Sequence, residues 1–300
     1  MTRSNIRQRL YKEPNQSKEV FIFLAIESIL YTIFMLIDIT SLYVGMSNVI
    51  KYCSILICFL FVLLPYRTKQ KEPISINNSL DINLLRLAIL FTLISDYFLL
   101  FTTNYVYGLI TFIVVQSLYL IRIYSWKLKC NFINPHKASP FFYICRNLIV
   151  SSIVLILLSI ILISNLPYDL KAAIGQVSKG IKEDKEIQAN ISLIILGAYY
   201  FVSLLLNALD AIRISKKSDT LQVRIFAIGL VLFILCDINV ALFNIARFYL
   251  SSSNDILLGM SRISHDNINV IYQLSFLAMW FFYLPSQVLI SLSRNGIRHN

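Results

Sequence analysis

Eight apolar runs follow one another along this 300-residue chain, near residues 20–44, 49–65, 83–101, 104–124, 146–166, 190–212, 223–248 and 268–292. An α-helix needs about 17–25 such residues to cross a bilayer, so each run reads as a span, the second only just reaching that length. Only 8 Gly and 7 Pro are present, which favours long uninterrupted helices over Gly-rich hairpins. The predicted fold class is therefore all-α: a polytopic helical membrane protein of about eight transmembrane helices. Residues 20–293 form one membrane domain between an N-tail (1–19) and a C-tail (294–300). The start, MTRSNIRQRLYKEPNQSKEV, is basic and has no small-residue cleavage site, so it reads as the lead into an uncleaved first span.

Charge sets the orientation. The chain is 57% hydrophobic and 14% charged, with a net charge of +11. In a soluble protein that excess would suggest nucleic acid. Here the basic residues cluster in the tails and in alternate loops: Arg3, Arg7, Arg9, Lys12 and Lys18; Arg67, Lys69 and Lys71; Lys127, Lys129, Lys137 and Arg146; Arg213, Lys216, Lys217 and Arg224; Arg294 and Arg298. With eight spans all of these fall on one side. The positive-inside rule makes that side cytoplasmic, with both termini there, in a protein integral to the cell membrane. Contact with anionic headgroups accounts for the charge, and no nucleic-acid partner is expected. The GMSN segment at 45–48 reads as a tight turn between the first two spans. The 167–189 loop carries Ile174, Val177 and Ile181 at helical spacing; a surface helix fits, as does a plain solvated loop. The five cysteines are odd in number and contain no CxxC, so they read as apolar filler rather than a disulfide framework or zinc site.

Two carboxylates lie deep inside apolar runs: Asp96 in LAILFTLISDYFLLF and Asp237 in FAIGLVLFILCDINVALF. Both spans run outward. At 1.5 Å per residue, both aspartates lie roughly 18–20 Å from the cytoplasmic face. An ionisable group at such depth marks a functional site by default. No Lys or Arg lies at matching depth, and an apolar setting favours the neutral acid, a potential proton donor. The two segments resemble each other weakly (Phe91 and Phe101 around Asp96, Phe233 and Phe243 around Asp237), which hints at a parallel 4+4 repeat.

Other polar residues join the pair. Gln116 and Tyr119 share a helix face, as do Tyr283 and Gln287, and Asn244 lies two turns beyond Asp237. Glu27 and Asp38 interrupt the first span. Gln116, Asn207 and Asn244 also suit interhelical hydrogen bonding. Lys51, Asp38 and Asp210 lie near span ends, where they can snorkel to the interface.

Together these segments resemble the lysoplasmalogenase (YhhN-like) family of polytopic membrane hydrolases. LISDYFLLF is similar to that family's small-Gly-Asp segment, with Asp96 on the Asp and Ser95 where the family has Gly. In the fourth span Gly108, Phe112 and Tyr119 match, with Gln116 in the His place. In the seventh Gly229, Phe233, Asp237 and Ala241 match, with Cys236 replacing Ser. In the eighth Tyr283, Gln287 and Ile290 match, and in the second Lys51 is kept while Tyr52 replaces Pro.

The resemblance implies hydrolysis of the vinyl ether bond of a lysoplasmalogen-type lysophospholipid. Asp96 and Asp237 would divide acid and base roles. Gln116, Tyr119, Asn244, Tyr283 and Gln287 would position water and substrate oxygens, and Lys51 or a cytoplasmic-face Arg would hold phosphate. No metal or cofactor is implied; the partner is a membrane lipid or lysophospholipid. Two other readings use the same carboxylates. One is a proton-coupled transporter or lipid-binding protein. The other is an intramembrane aspartyl peptidase, whose Gly-x-Gly-Asp and Pro-Ala-Leu elements are absent here.

Overall fold

The structure, a computed structural model, describes residues 14–40, 43–64, 76–130, 140–165, 185–218, 220–252 and 262–294. They form eight α-helices: α1 (Pro14–Thr40), α2 (Val44–Leu63), α3 (Ile76–Phe101), α4 (Tyr105–Lys129), α5 (Pro140–Asn165), α6 (Lys185–Lys217), α7 (Leu221–Ser252) and α8 (Arg262–Leu292). Seven are long and apolar enough to cross a membrane; α5 is apolar over its described stretch Phe141–Ile156. Large apolar side chains also cover the outside, among them Phe21, Ile22, Leu36 and Ile39 on α1 and Phe141, Phe142 and Ile149 on α5. A soluble protein does not expose so much contiguous apolar surface. The chain is thus an integral-membrane helical protein by architecture.

The boundaries differ from the sequence expectation in two instructive places. α1 begins at Pro14, inside the expected N-tail, and proline suits a first helical turn because no N–H is needed there. GMSN is not a turn: it lies in the first turns of α2, whose N-cap is Tyr43. The expected surface helix around Ile174, Val177 and Ile181 lies outside the described residues.

The helix order in space follows a simple rule. α2, α3, α4, α6, α7 and α8 pack in sequence and close into a ring, because α8 meets α2. α1 braces the ring from outside against α2 and α8; α5 braces it against α6 and α4. Moving four helices along the chain maps each substantial interface onto another: α3·α4 onto α7·α8, α2·α3 onto α6·α7, and α4·α6 onto α8·α2. The packing therefore has the 4+4 form that the weak sequence similarity suggested.

Close approach within the equivalent pairs α3·α4 and α7·α8 depends on glycine. A Cβ on Gly108 would lie 2.8 Å from Leu99 Cδ2, and one on Gly229 would lie 3.1 Å from the Ser286 carbonyl and 3.2 Å from the Ile290 amide. Ser95 uses the approach at Gly108 to donate to that residue's carbonyl at 2.5 Å. Pro285 has no N–H to offer Phe281 four residues back. The Tyr31 hydroxyl from α1 approaches that freed carbonyl at 3.5 Å.

The ends carrying the basic loops are tied by buried ion pairs. Arg122 at the end of α4 meets Asp81 at the start of α3 (3.0 Å) and also donates to Ser293 Oγ after α8 (2.9 Å). Arg294 donates to the Phe61 carbonyl of α2 at 2.9 Å and reaches Glu19 of α1 at 3.4 Å. Asp210 of α6 is buried beneath Lys127 and Arg146. It does not snorkel, because cations from α4 and α5 come to it.

Candidate membrane-embedded carboxyl site

Asp96 lies 17 residues beyond Ser79 on α3, and Asp237 lies 16 beyond Leu221 on α7. Counted from these span starts both lie about 24–26 Å in, at similar depth in their spans, although α3 itself begins earlier, at Ile76. They occupy equivalent helices of the two halves, in the half of the bundle away from the basic loops.

Asp96 is 3% exposed. Its partner is the Tyr283 hydroxyl of α8, 2.8 Å from Oδ1 and 2.7 Å from Oδ2. A phenol has one hydrogen, so the two carboxylate oxygens share it. Tyr283 is itself held by rings: Trp280 at 5.4 Å and Phe233 at 5.5 Å between centroids. Phe233 continues to Phe112 of α4 (5.8 Å) and Tyr200 of α6 (6.4 Å), and Phe112 meets Tyr200 at 5.5 Å. One aromatic cluster therefore joins α4, α6, α7 and α8 around the site.

Asp237 is less enclosed. The packed stretch of α7, through Val223, Phe226, Leu230, Phe233 and Cys236, ends beside it, and Val240 to Asn244 are mostly exposed. Its neighbour is the Tyr200 hydroxyl, while its Oδ2 is buried without a hydrogen-bond partner. The two carboxyls are linked through Phe233, which packs on both Tyr283, the partner of Asp96, and Tyr200, the neighbour of Asp237.

The remaining predicted residues divide. Gln116 and Tyr119 are buried, as expected. Gln116 is tied to α6: Asn207 donates to its backbone carbonyl at 2.9 Å and to its Oε1 at 3.1 Å. Its Nε2 and the Tyr119 hydroxyl are buried without partners, as is Gln287 Oε1. These atoms face an interior in which buried polar groups ordinarily find partners.

Asn244 does not belong to the site. It is exposed, and its amide turns back to the Val240 carbonyl at 2.8 Å. Sharing Asp237's helix face did not suffice: at that turn α7 meets α8 through Phe243, stacked on Tyr272 at 4.7 Å, and Asn244 lies on the side left open. Lys51 does not wait for phosphate and does not snorkel. It is 1% exposed, pairs with Asp38 at 2.7 Å, and sits over Trp280 (4.4 Å), Phe276 (5.3 Å) and Phe34 (5.6 Å). Ser47 occupies the second oxygen of Asp38 at 2.5 Å. Lys51 still touches the site indirectly, since Trp280 packs on both its ammonium and Tyr283.

Sequence reasoning missed Tyr200 and gave Glu27, which it noticed, no role. Tyr200 had no signal beyond one Tyr among 17. Glu27 did: it is a lone carboxylate in an apolar run. It is 3% exposed, accepts from Ser54 of α2, and has Cys58 Sγ at 3.6 Å, with no cation partner among the described residues. Among the described residues no cluster of His, Cys, Asp and Glu could hold a metal.

Fold and site together define a polytopic helical membrane protein whose helix ring encloses carboxyl groups that no cation pairs with among the described residues. No family model, curated protein or solved structure matches the chain.

Proposed function

We propose that the protein is a membrane-embedded hydrolase that cleaves the vinyl ether bond of a lysoplasmalogen-type lysophospholipid by acid/base chemistry. The observation that carries the reading is the pair of carboxyls at similar depth in the equivalent helices α3 and α7, each beside a tyrosine hydroxyl and neither paired with a cation among the described residues. Vinyl ether hydrolysis begins with a proton delivered to the alkene carbon distal to oxygen, leaving an oxocarbenium ion. Water adds to that cation and loses a proton to a base. The hemiacetal then collapses to an aldehyde and a glycerophospho-alcohol. One water is consumed and the acid is regenerated.

Asp237, with Oδ2 unpartnered, suits the donor. Asp96, which accepts the Tyr283 hydrogen, suits the base that activates water. The faces of Phe112, Phe233 and Tyr283 would stabilise the cation between these steps. Tyr119, Gln116 and Gln287 carry the unpartnered polar atoms that would hold water and glycerol oxygens. The resemblance to the lysoplasmalogenase family motivates the substrate; the carboxyl geometry supports the chemistry.

The test is aldehyde release from lysoplasmalogen by the purified protein across pH 5 to 8, with Asp96→Asn and Asp237→Asn alongside. Wild-type release lost in both variants is expected. No wild-type release removes the vinyl ether reading, and release unchanged by either variant removes the site.

One observation favours a second reading, a proton-coupled transporter. Glu27 with Ser54 and Cys58 adds a third cation-free carboxyl nearer the basic end, and Cys58 lies within electrostatic reach of Asp96. Proton flux into liposomes, lost in Glu27→Gln and in Asp96→Asn, would select it.

A further inference from the structure

The two halves of the ring treat their basic ends differently. Arg122 faces one carboxylate, Asp81, and Arg294 faces one, Glu19. At the α4–α5–α6 corner three cations share the single carboxylate of Asp210. Lys127 Nζ lies 2.7 Å and Arg146 Nη1 3.0 Å from the same oxygen, Oδ2, and Arg213 reaches Oδ1 at 3.7 Å. No other carboxylate among the described residues pairs with them. Among the described residues two positive charges are thus left without a counter-charge. Arg213 is 71% exposed and screened by solvent, but Lys127 and Arg146 are only 10% and 25% exposed, so screening there is weak.

The arrangement of donors is specific. The Arg146 guanidinium spends Nε and one Nη2 hydrogen on Asn147 Oδ1 (3.3 and 3.1 Å) and one Nη1 hydrogen on Asp210. One N–H remains on each terminal nitrogen, free to donate to an anion's oxygens. Tyr143 lies under both cations, 4.4 Å from Lys127 Nζ and 5.0 Å from the guanidinium carbon. α5 then supplies the second half of a recognition surface. Phe142, Ile149, Ile153 and Ile156 are all exposed, and all lie on the same helical stripe as Arg146. A phosphate held by Arg146 would have its acyl chains along that stripe.

We propose that this corner binds the phosphate of an anionic phospholipid from the leaflet at the basic end, with its chains against α5. The occupant is a lipid rather than free phosphate because the charged donors open directly onto an apolar outer face. The site stands apart from Asp96 and Asp237, which lie toward the opposite end, and does not depend on the proposed hydrolysis.

The full-length protein in a non-ionic detergent, followed by native mass spectrometry, tests this. Phosphatidylglycerol is titrated, with diacylglycerol of the same chains as the phosphate-free probe and inorganic phosphate as the free anion. Wild type should retain phosphatidylglycerol and not diacylglycerol, and millimolar phosphate should not displace it. Arg146→Gln should weaken retention about tenfold or more. Lys216→Gln, which removes an exposed charge from the end of α6, should leave it within about twofold. Equal retention by wild type and Arg146→Gln, equal weakening by Lys216→Gln, retention of diacylglycerol, or displacement by inorganic phosphate would each overturn the proposal. Lys127→Gln serves as a second probe, and Arg146, being partly exposed, keeps the test open should that variant misfold.

Discussion

Replacing Lys51 with methionine removes the cation from a buried pair and leaves Asp38 behind. The ammonium stands 2.7 Å from Asp38 Oδ2 and over three aromatic rings. Truncating one partner of such a pair typically costs about 3–5 kcal/mol, because the remaining charge is stranded. Loss of a desolvated cation–π contact on Trp280 adds up to about 2 kcal/mol. Two effects act the other way: methionine keeps packing against the rings, and Ser47 still donates to Asp38, a bond of about 1.5–3 kcal/mol to a charged group. The net expectation is a loss of about 3 kcal/mol. The double variant Lys51→Met/Asp38→Asn strands no charge and should recover most of it; since Asp38→Asn alone strands the lysine, the coupling should be at least about 2 kcal/mol. Reversible unfolding in mixed micelles, run as a double-mutant cycle, measures this. A coupling under about 0.5 kcal/mol would show that the pair is not energetically buried and would refute the reasoning.

Tyr283→Phe removes the donor to Asp96 while keeping the ring; aldehyde release, if present in wild type, should fall about 10- to 100-fold, the equivalent of about 1.5–3 kcal/mol. Arg122→Met should destabilise the ring by about 3–5 kcal/mol by stranding Asp81, with partial recovery in Arg122→Met/Asp81→Asn, read by the same unfolding assay. Gly229→Ala should cost about 1–3 kcal/mol because its Cβ meets α8 backbone. Gly45→Ala, with nothing within 4 Å, should be neutral or stabilise by up to about 1 kcal/mol.

The spans were legible because a bilayer demands long apolar helices, and length is written directly in the sequence. The two aspartates were legible for the converse reason: a carboxyl in such a run is costly and conspicuous. The 4+4 packing was visible only as a trace in the Phe–Asp–Phe spacing around them. The failures share one cause. Asn244 was placed beside Asp237 by helical phase alone, and phase does not say which side of a helix its neighbours cover. Lys51 was assigned to phosphate because its partner, Asp38, lies on another helix. Tyr200 and Glu27 were passed over for the same reason.

The sequence by itself determined an all-helical membrane protein and two carboxyls deep inside its spans. Tertiary structure alone decided which helix meets which: that α8 closes the ring on α2, that Tyr283 serves Asp96 from 187 residues away, and that three cations converge on Asp210. The physical reason lies in the solvent. In water, a helix's buried face is marked by its apolar stripe. In hydrocarbon, the face toward lipid and the face toward protein are both apolar, as exposed Ile22 and buried Phe23 show on adjacent positions of α1. Pattern then fixes depth but not neighbours, and neighbours are what make the site.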